Sequence, residues 1–581
     1  MADTNGGANG TQPATMYVFS YPSLFNIPAT SLLSPYYYSL SPHSNIKQAP
    51  EGYTTQSEGK ATILQKGNEA FYNPAQVINR DLSIAVINYY SKFRQQQQQS
   101  NPGASNRSRR RLAQQPTDTD TTDTTTTTTT KKSGSRGLQI LEGLAATGLR
   151  SIRYAREIEG VDRIVANDLD PNVVASMRRN LEFNGPDVVE KIVASVGDAR
   201  VVMMQNPNTF DVVDLDPYGS PCQLLDSAVQ TLTDGGLLCM TATDMAVLCG
   251  NNGEACFTKY GSYPLHRSYC HEMALRILLS ALSAAAARCK RYIVPVLSFS
   301  IDFYVRVFVL VYDSAAITKD AATKLGYVYQ SQGCDAFYWQ RVGRKIAKGN
   351  SMKYTPGHGP SVPSMTCPYT GQSYSFGGPY WAEALHDVTW AKGVLSYIRS
   401  KKDQFAGYSK IQGLLTTAIE ELPDAPFFIN LHDICKTVKC TPMRGEVFRS
   451  ALINAGYRVS GTHCSPLGIK TDAPWDVVWD IMRCWVAQHP NKLAPGSVAE
   501  KILSVAPELK ADFTRVASAV HHKGKGGKKI ARYPMNPAPN WGPKMKHGRR
   551  AKGESAAGED EGEGDEGDVE METKEEEKTD T

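Results

Sequence analysis

No uninterrupted apolar run in this 581-residue chain reaches the roughly 18 residues that a membrane-crossing helix needs, so no membrane span is expected. Paired cysteine spacing is also missing. Twelve cysteines scattered over so long a chain exclude a disulfide framework and point to a reducing compartment. The first 46 residues hold no Lys or Arg and a single acid, Asp3, which fits neither an Arg-rich transit peptide nor the charged start of a secretory signal. Rich in Tyr, Ser and Pro instead, residues 1–50 are expected to form a disordered arm. Acids are absent from Lys523 to Lys552, where ten Lys or Arg stand, and from Glu554 to Asp580 fourteen acids face two Lys. The net charge of +5 hides this segregation. With 41% hydrophobic residues, the rest can bury a large core, so fibrous and wholly disordered classes are excluded.

The first globular stretch, Glu51 to Phe93, has a helical apolar pattern through Ile84, Val86, Ile87 and Tyr90. It is too short for its own core. A polar insertion at 94–136, with Gln95 to Gln99, Arg107 to Arg111 and a Thr/Asp tract, is expected to interrupt one domain spanning 51–320. From Leu138 short apolar runs alternate with helical patterns. Leu138–Leu141, Arg163–Asn167, Ile192–Ser195, Phe210–Leu215, Gly236–Thr241 and Tyr292–Ser298 read as buried strands. The expected fold is α/β, an open and mostly parallel sheet covered on both faces, with ligands at the carboxyl ends of its strands. A connecting segment at 321–380 is expected to lead to a C-terminal α+β domain at 381–522. There Asn430–Val438, a turn through Cys440, Thr441 and Pro442, Arg444–Ala455 and two short strands resemble a winged helix. A basic tail (523–552) and an acidic tail (553–581) follow.

The residues just after each strand carry the chemistry. Glu142 ends the first and opens Gly143-Leu144-Ala145-Ala146-Thr147-Gly148-Leu149-Arg150, a small-residue turn into a helix where backbone can approach a cofactor. Asp168 ends the second strand and is placed to accept ribose hydroxyls, while Asp170, directly before Pro171, reads as the helix cap. Asp198, followed by Ala199, ends the third and can accept an adenine amine. The second and third glycines of the dinucleotide fingerprint are lacking, which disfavours NAD; S-adenosylmethionine, with no phosphates to cradle, tolerates their loss. After a fourth strand stands Asp216-Pro217-Tyr218-Gly219. Its carboxylate, with nearby carbonyls, can hold both hydrogens of an exocyclic amine, and Tyr218 can stack on the same base.

These motifs, with Phe71-Tyr72-Asn73-Pro74, Asn79-Arg80-Asp81-Leu82-Ser83, Thr147 to Arg153, Gly261-Ser262-Tyr263-Pro264, Glu272 and Leu385-His386-Asp387, resemble the tRNA guanine-26 N2-dimethyltransferase family from about Glu51 to Thr471. The resemblance implies a class I, Rossmann-like methyltransferase that moves one or two methyl groups from S-adenosylmethionine to guanine N2, with a C-terminal domain holding the tRNA. It implies Asp216, with Pro217, as the catalytic centre and Phe71 and Tyr218 as an aromatic pair around a flipped base. It places the cofactor with Arg80, Glu142, Ala146, Gly148, Arg150, Asp168, Asp198 and Ala199.

Two departures stand out. Ala146 occupies a position where methyltransferases often have Gly, and the family's four-cysteine zinc site retains only Cys334 and Cys367, beside Ser331 and Thr370. Two thiolates do not complete a tetrahedral site, so no zinc is expected there, and no metal elsewhere; His386, His432 and His463 read as unclustered core or surface residues. Two rivals stay open: 5-methylcytosine transfer with Cys222 as nucleophile, and a non-catalytic tRNA-binding factor. The basic tail, with Tyr533 and Trp541, suits phosphate neutralisation, base stacking and nuclear import. The expected location is the nucleus, with a mitochondrial share left open, and the expected form is a monomer.

Overall fold

A computed structural model describes residues 48–66, 72–100, 136–519 and 530–536. Its centre is a seven-stranded sheet built from β3 (Leu138–Glu142), β4 (Val161–Asp168), β5 (Ile192–Val196), β6 (Phe210–Leu215), β7 (Leu232–Ala242), β8 (Arg291–Ile301) and β9 (Tyr304–Asp313). The order across the sheet is β5-β4-β3-β6-β7-β9-β8. All neighbours run parallel except β9, which lies antiparallel between β7 and β8. The chain order reverses between β3 and β6, and a crevice forms at the carboxyl end of such a switch point. Glu142 pairs with Asp214 of β6 across it.

The six strands expected from apolar runs are present, Phe210–Leu215 with the expected ends and the others with ends shifted by up to four residues. β9 was not among them. It follows β8 through a tight turn, Asp302-Phe303, with Asp302 at φ +50°, so the two strands merge into one apolar stretch of sequence. The hairpin of β1 (Thr54–Glu58) and β2 (Ala61–Gln65) precedes a helix, Val77–Ser100, whose apolar face packs on the sheet. That helix does not stop at Phe93. Arg94 and the glutamines are its last turns, because Gln is a good helix former and Arg94 is paired with buried Asp211 at 2.5 Å. Residues 101–135 lie outside the described residues, as do the N-terminal arm and most of both tails.

The stretch expected to be a connector is itself folded. β10 (Leu325–Ser331), β11 (Phe337–Arg341) and β14 (Tyr374–Trp381) form one sheet, and β12 (Gly343–Lys348) pairs with β13 (Ser351–Pro356). Helices Val388–Ser400 and Tyr408–Glu420 share a core with the central sheet through Trp390, Val394, Ile411 and Leu415. The winged-helix pattern follows in the expected order: helices Leu431–Thr437 and Gly445–Asn454, then β16 (Val459–Thr462) and β17 (Ser465–Thr471), with β15 (Ile429–Asn430) on the outer side of β17. His386 and His463 are buried as expected but not apart. Their Nε2 and Nδ1 lie 3.3 Å from each other, beside Glu421, a proximity that their 77-residue separation concealed. Among the described residues one helix, Cys270–Arg288, is long and apolar enough to cross a membrane, and most of it is buried in the protein.

Candidate active site

β6 delivers Asp216 to the carboxyl edge of the sheet, with its side chain one-fifth exposed. Asp216 Oδ2 accepts from Arg150 Nη2 and, at 3.3 Å, from Asn79 Nδ2. Among the described residues none donates to Oδ1. Gly219, at φ +73°, turns the chain back so that its N–H donates to Thr243 Oγ1 at 2.7 Å while its carbonyl accepts from Thr243 N at 3.0 Å. Ser220 Oγ meets Tyr260 OH at 3.0 Å, and that hydroxyl donates to Asp244 Oδ1 at 2.8 Å. The Asp-Pro-Tyr-Gly turn is therefore clamped to the segment after β7. Tyr218 is 66% exposed. Burial of part of the ring, then the carboxylates of Asp216 and Asp168, raise its phenol above the usual range, which sets Tyr218 within electrostatic reach of both acids.

Under Asp216 lies a polar layer that sequence reading missed. Arg150 Nη1 donates to Asn79 Oδ1 at 3.2 Å and Ser83 Oγ at 3.3 Å, and lies 3.5 Å from Asp214 Oδ2. Arg306 donates to the same Asp214 oxygen at 2.7 Å, to Ser83 Oγ at 2.8 Å and to Thr241 Oγ1 at 2.8 Å. Burial works against the charge of Asp214, but Arg306 and Arg150 outweigh it and hold its carboxyl below the usual range. A signal was available. Arg306 stands between Val305 and Val307 inside an apolar strand, and a charge there survives only with a buried partner.

Glu142 is buried; Ser151 Oγ donates to it at 2.5 Å and Arg150 Nε lies 3.5 Å away. Burial pushes its carboxyl up to about 8 against the pull of Arg150. Asp168 Oδ2 accepts from Ala146 N at 2.9 Å and Oδ1 from Asp170 N at 3.2 Å, so this acid holds the first loop against β4. Asp170 caps the next helix, accepting from Asn172 N at 2.8 Å, as read from its place before proline. Ala146 has φ +45° and Gly148 φ +75°, left-handed conformations that explain why Gly is favoured in this loop. Asp198 caps the helix Ala199–Gln205 and meets Arg200. Leu169 (70%) and Val201 (51%) are exposed apolar side chains next to the two acids.

Arg80 faces Glu58. It is buried against Glu58 at 2.5 Å and donates to Asn73 O at 3.1 Å, and Arg153 joins the same Glu58 to Asp81. This network ties the β1–β2 hairpin to two helices, and the Arg80 guanidinium is committed to Glu58 and Asn73. Phe71 lies outside the described residues. Cys222 is half-buried and burial pushes its thiol up to about 11, unlike a nucleophilic cysteine. Cys334 Sγ and Cys367 Sγ lie 3.7 Å apart, with Ser331 Oγ 3.5 Å from Cys334.

A family profile described as "N2,N2-dimethylguanosine tRNA methyltransferase" matches residues 52–483. A relative from Arabidopsis thaliana named "tRNA (guanine(26)-N(2))-dimethyltransferase 2" is 46% identical over 531 residues, covering 86% of this chain and 89% of its own. One from Saccharomyces cerevisiae, whose name adds "mitochondrial", is 36% identical over 534 residues, covering 85% of this chain and 92% of its own. A solved structure, "Complex structure of Trm1 from Pyrococcus horikoshii with S-adenosyl-L-Methionine", superposes with a TM-score of 0.56 at 28% identity, covering 73% of this chain and 98% of that one. The strand order, the place of Asp216 just after β6 and a match across most of the chain agree, and the chain belongs to the N2,N2-dimethylguanosine tRNA methyltransferase family.

Proposed function

We propose that this protein transfers methyl groups from S-adenosylmethionine to the exocyclic N2 of guanine-26 in tRNA, giving the N2-methyl and then the N2,N2-dimethyl nucleoside. As a member of its family the chain is a methyltransferase, and the cofactor supplies an electrophilic methyl group when bound. The observation that carries the reading is the asymmetry of Asp216: Oδ2 is fixed by Arg150 and Asn79, and Oδ1 is left to accept from a target amine. Holding one N–H fixes the direction of the nitrogen lone pair. After methyl transfer the nitrogen sheds a proton, and Asp216 is placed to take it.

The residues of the first loop fit the cofactor. Asp168 offers a carboxylate at the end of β4, left-handed Ala146 and Gly148 keep the loop's backbone close, and Leu169 and Val201 offer apolar surface for a purine. Asp198 and the Ala199 amide would receive the adenine edge, and Glu142 the methionine end. The position of Arg150 on Asp216 supports a role on the target side. The packing of Arg80 on Glu58 supports a role in shaping the cofactor side from behind. Tyr218 and Phe71 would sandwich the flipped guanine, where stacking at about 1–3 kcal/mol per ring offsets a flipping cost of a few kcal/mol.

The C-terminal domain would grip the tRNA body by its phosphates, and the protein would act as a monomer in the nucleus, with a mitochondrial share supported by the yeast relative's name. The raised Cys222 thiol disfavours cysteine-based carbon methylation. The test pairs Asp216→Ala with Asp168→Ala. Nucleoside mass spectrometry should show no methylguanosine from Asp216→Ala, while titration calorimetry shows nearly parental cofactor affinity; Asp168→Ala should weaken cofactor binding first. A large affinity loss in Asp216→Ala overturns the assignment.

A further inference from the structure

We propose that Cys249, Cys270, His271 and Cys464 form a structural zinc site that ties the segment after β7 to the long core helix and to the C-terminal hairpin. The sulfurs of Cys249 and Cys270 and a ring nitrogen of His271 all lie within 4.8 Å of one another. In a tetrahedral shell, with zinc about 2.3 Å from sulfur and about 2.0 Å from nitrogen, neighbouring donors stand roughly 3.5 Å apart, so closing these three around an ion needs shifts of about 1 Å. The donors come from separate places in the chain. Cys249 follows the helix Met245–Leu248, Cys270 is the first residue of the helix Cys270–Arg288, and Cys464 sits in the turn between β16 and β17. Cys464 packs against the same apolar cluster as Cys249 and Cys270; its Sγ stands outside that 4.8 Å group, 3.3 Å from His463 Nε2, so it completes the shell only by turning from His463 toward the other three donors.

The chemistry of the set is that of zinc. Three sulfurs and one imidazole are a common closed structural shell, and the flanking apolar cluster excludes competing water. The His271 ring is already oriented: Ser300 Oγ lies 3.2 Å from Nδ1, and a ligating histidine uses one nitrogen for the ion and the other for such a partner. Two other clusters fit less well. Between His386, His463 and Glu421 the place of a cation is taken by Lys470, whose Nζ lies 3.2 Å from Glu421 Oε1 and 2.8 Å from Glu272 Oε1. Cys334 and Cys367 bring only two sulfurs. An ion at Cys249 would anchor the short helix that begins just after Asp244, and Asp244 holds Tyr260 and, through it, Ser220 in the turn that follows Asp216.

The test uses the full chain, expressed with zinc and purified under reducing conditions without chelator. Elemental mass spectrometry should find about one zinc per chain, lost from Cys249→Ser/Cys270→Ser and kept by Cys334→Ser/Cys367→Ser. Stripped parent protein titrated with cobalt(II) should develop thiolate-to-cobalt absorption and the ligand-field bands of a tetrahedral ion, and Cys464→Ala should weaken the thiolate absorption by about one-third. The parent spectrum does not depend on whether a variant folds. A parent without zinc and without that spectrum overturns the proposal, as does zinc lost only from Cys334→Ser/Cys367→Ser. An unchanged cobalt spectrum in Cys464→Ala removes Cys464 from the shell and overturns the four-ligand site.

Discussion

Arg150 donates through Nη2 to Asp216 Oδ2 from the first turn of the helix Leu149–Glu157, so the loop proposed to face the cofactor also orients the acid proposed to hold the target amine. One guanidinium thereby joins the two proposed halves of the site. Its fork is committed, with Asn79 and Ser83 on Nη1 and Asp216 on Nη2. Lysine keeps the charge but not the fork.

Arg150→Lys is therefore expected to slow methyl transfer while leaving cofactor affinity within about threefold of the parent, because a misplacement of about 1 Å at the reacting centre costs on the order of 10²-fold in rate. Single-turnover transfer to tRNA and calorimetric titration with S-adenosylmethionine separate the two effects. Loss of cofactor affinity with an unchanged turnover rate would return Arg150 to the cofactor side.

Much of this site was legible because strand ends are written locally. Asp168, Asp198 and Asp216 each follow an apolar run, and each stands at the carboxyl edge of the sheet. The layer beneath was not legible. Asn79, Ser83, Arg150, Asp214 and Arg306 come from one helix, the next helix and two strands, and only the strand order brings them together. The same holds for His386 and His463. For Arg80 the motif conveys which residues travel together and not which way a guanidinium points; here it points at Glu58.

Glu142 gives stability a dependence on pH. Its carboxyl has an ordinary value of 4.5 and is pushed up to about 8 by burial, so between those values the folded chain holds a proton that the unfolded chain has released. The sign follows from linkage: this contribution is fully present below about 4.5 and is lost as pH rises through about 8. Glu142→Gln should abolish that downward slope. Denaturant unfolding of both proteins across the window, without cofactor, checks it; a slope unchanged in Glu142→Gln would assign it to another group.

Gly148 tests the first loop. A Cβ built there would lie 2.7 Å from Met177 Cγ, and φ is +75°. Met177 can move but the backbone cannot, and a left-handed L residue costs about 1–2 kcal/mol. Gly148→Ala should lower the melting temperature and weaken S-adenosylmethionine binding, and adding Met177→Ala should not restore either. Full restoration by the second substitution would show that the clash, and not the conformation, sets the requirement.

The last prediction separates two functions within the basic tail. Most of Lys523–Lys552 lies outside the described residues, but Ile530–Asn536 packs on the protein. Arg532 donates twice to Glu420, at 2.8 Å from Nε and 2.6 Å from Nη2, and Tyr533 OH donates to Thr462 O at 2.6 Å. Tyr533 is thus engaged with the C-terminal hairpin and is not a free stacking ring. Backbone of Ala531 and Arg532 passes so close to Gly413 that a Cβ there would lie 2.6 Å from Arg532 O. A chain ending at Asn536 keeps these contacts, and one ending at His522 loses a buried Arg–carboxylate pair. Breaking such a pair costs about 3–5 kcal/mol, because Glu420 is left without its cation, and the partial exposure of Glu420 places this one toward or below the lower limit. The shorter chain should therefore melt lower, while both chains bind tRNA more weakly and with a flatter salt dependence than the parent, since each has lost the Lys and Arg beyond Asn536. Primer extension should find methylation at the same nucleotide in all three. If the two truncations melt alike, the docked segment contributes nothing to stability; if the methylated position moves, the tail helps choose the target.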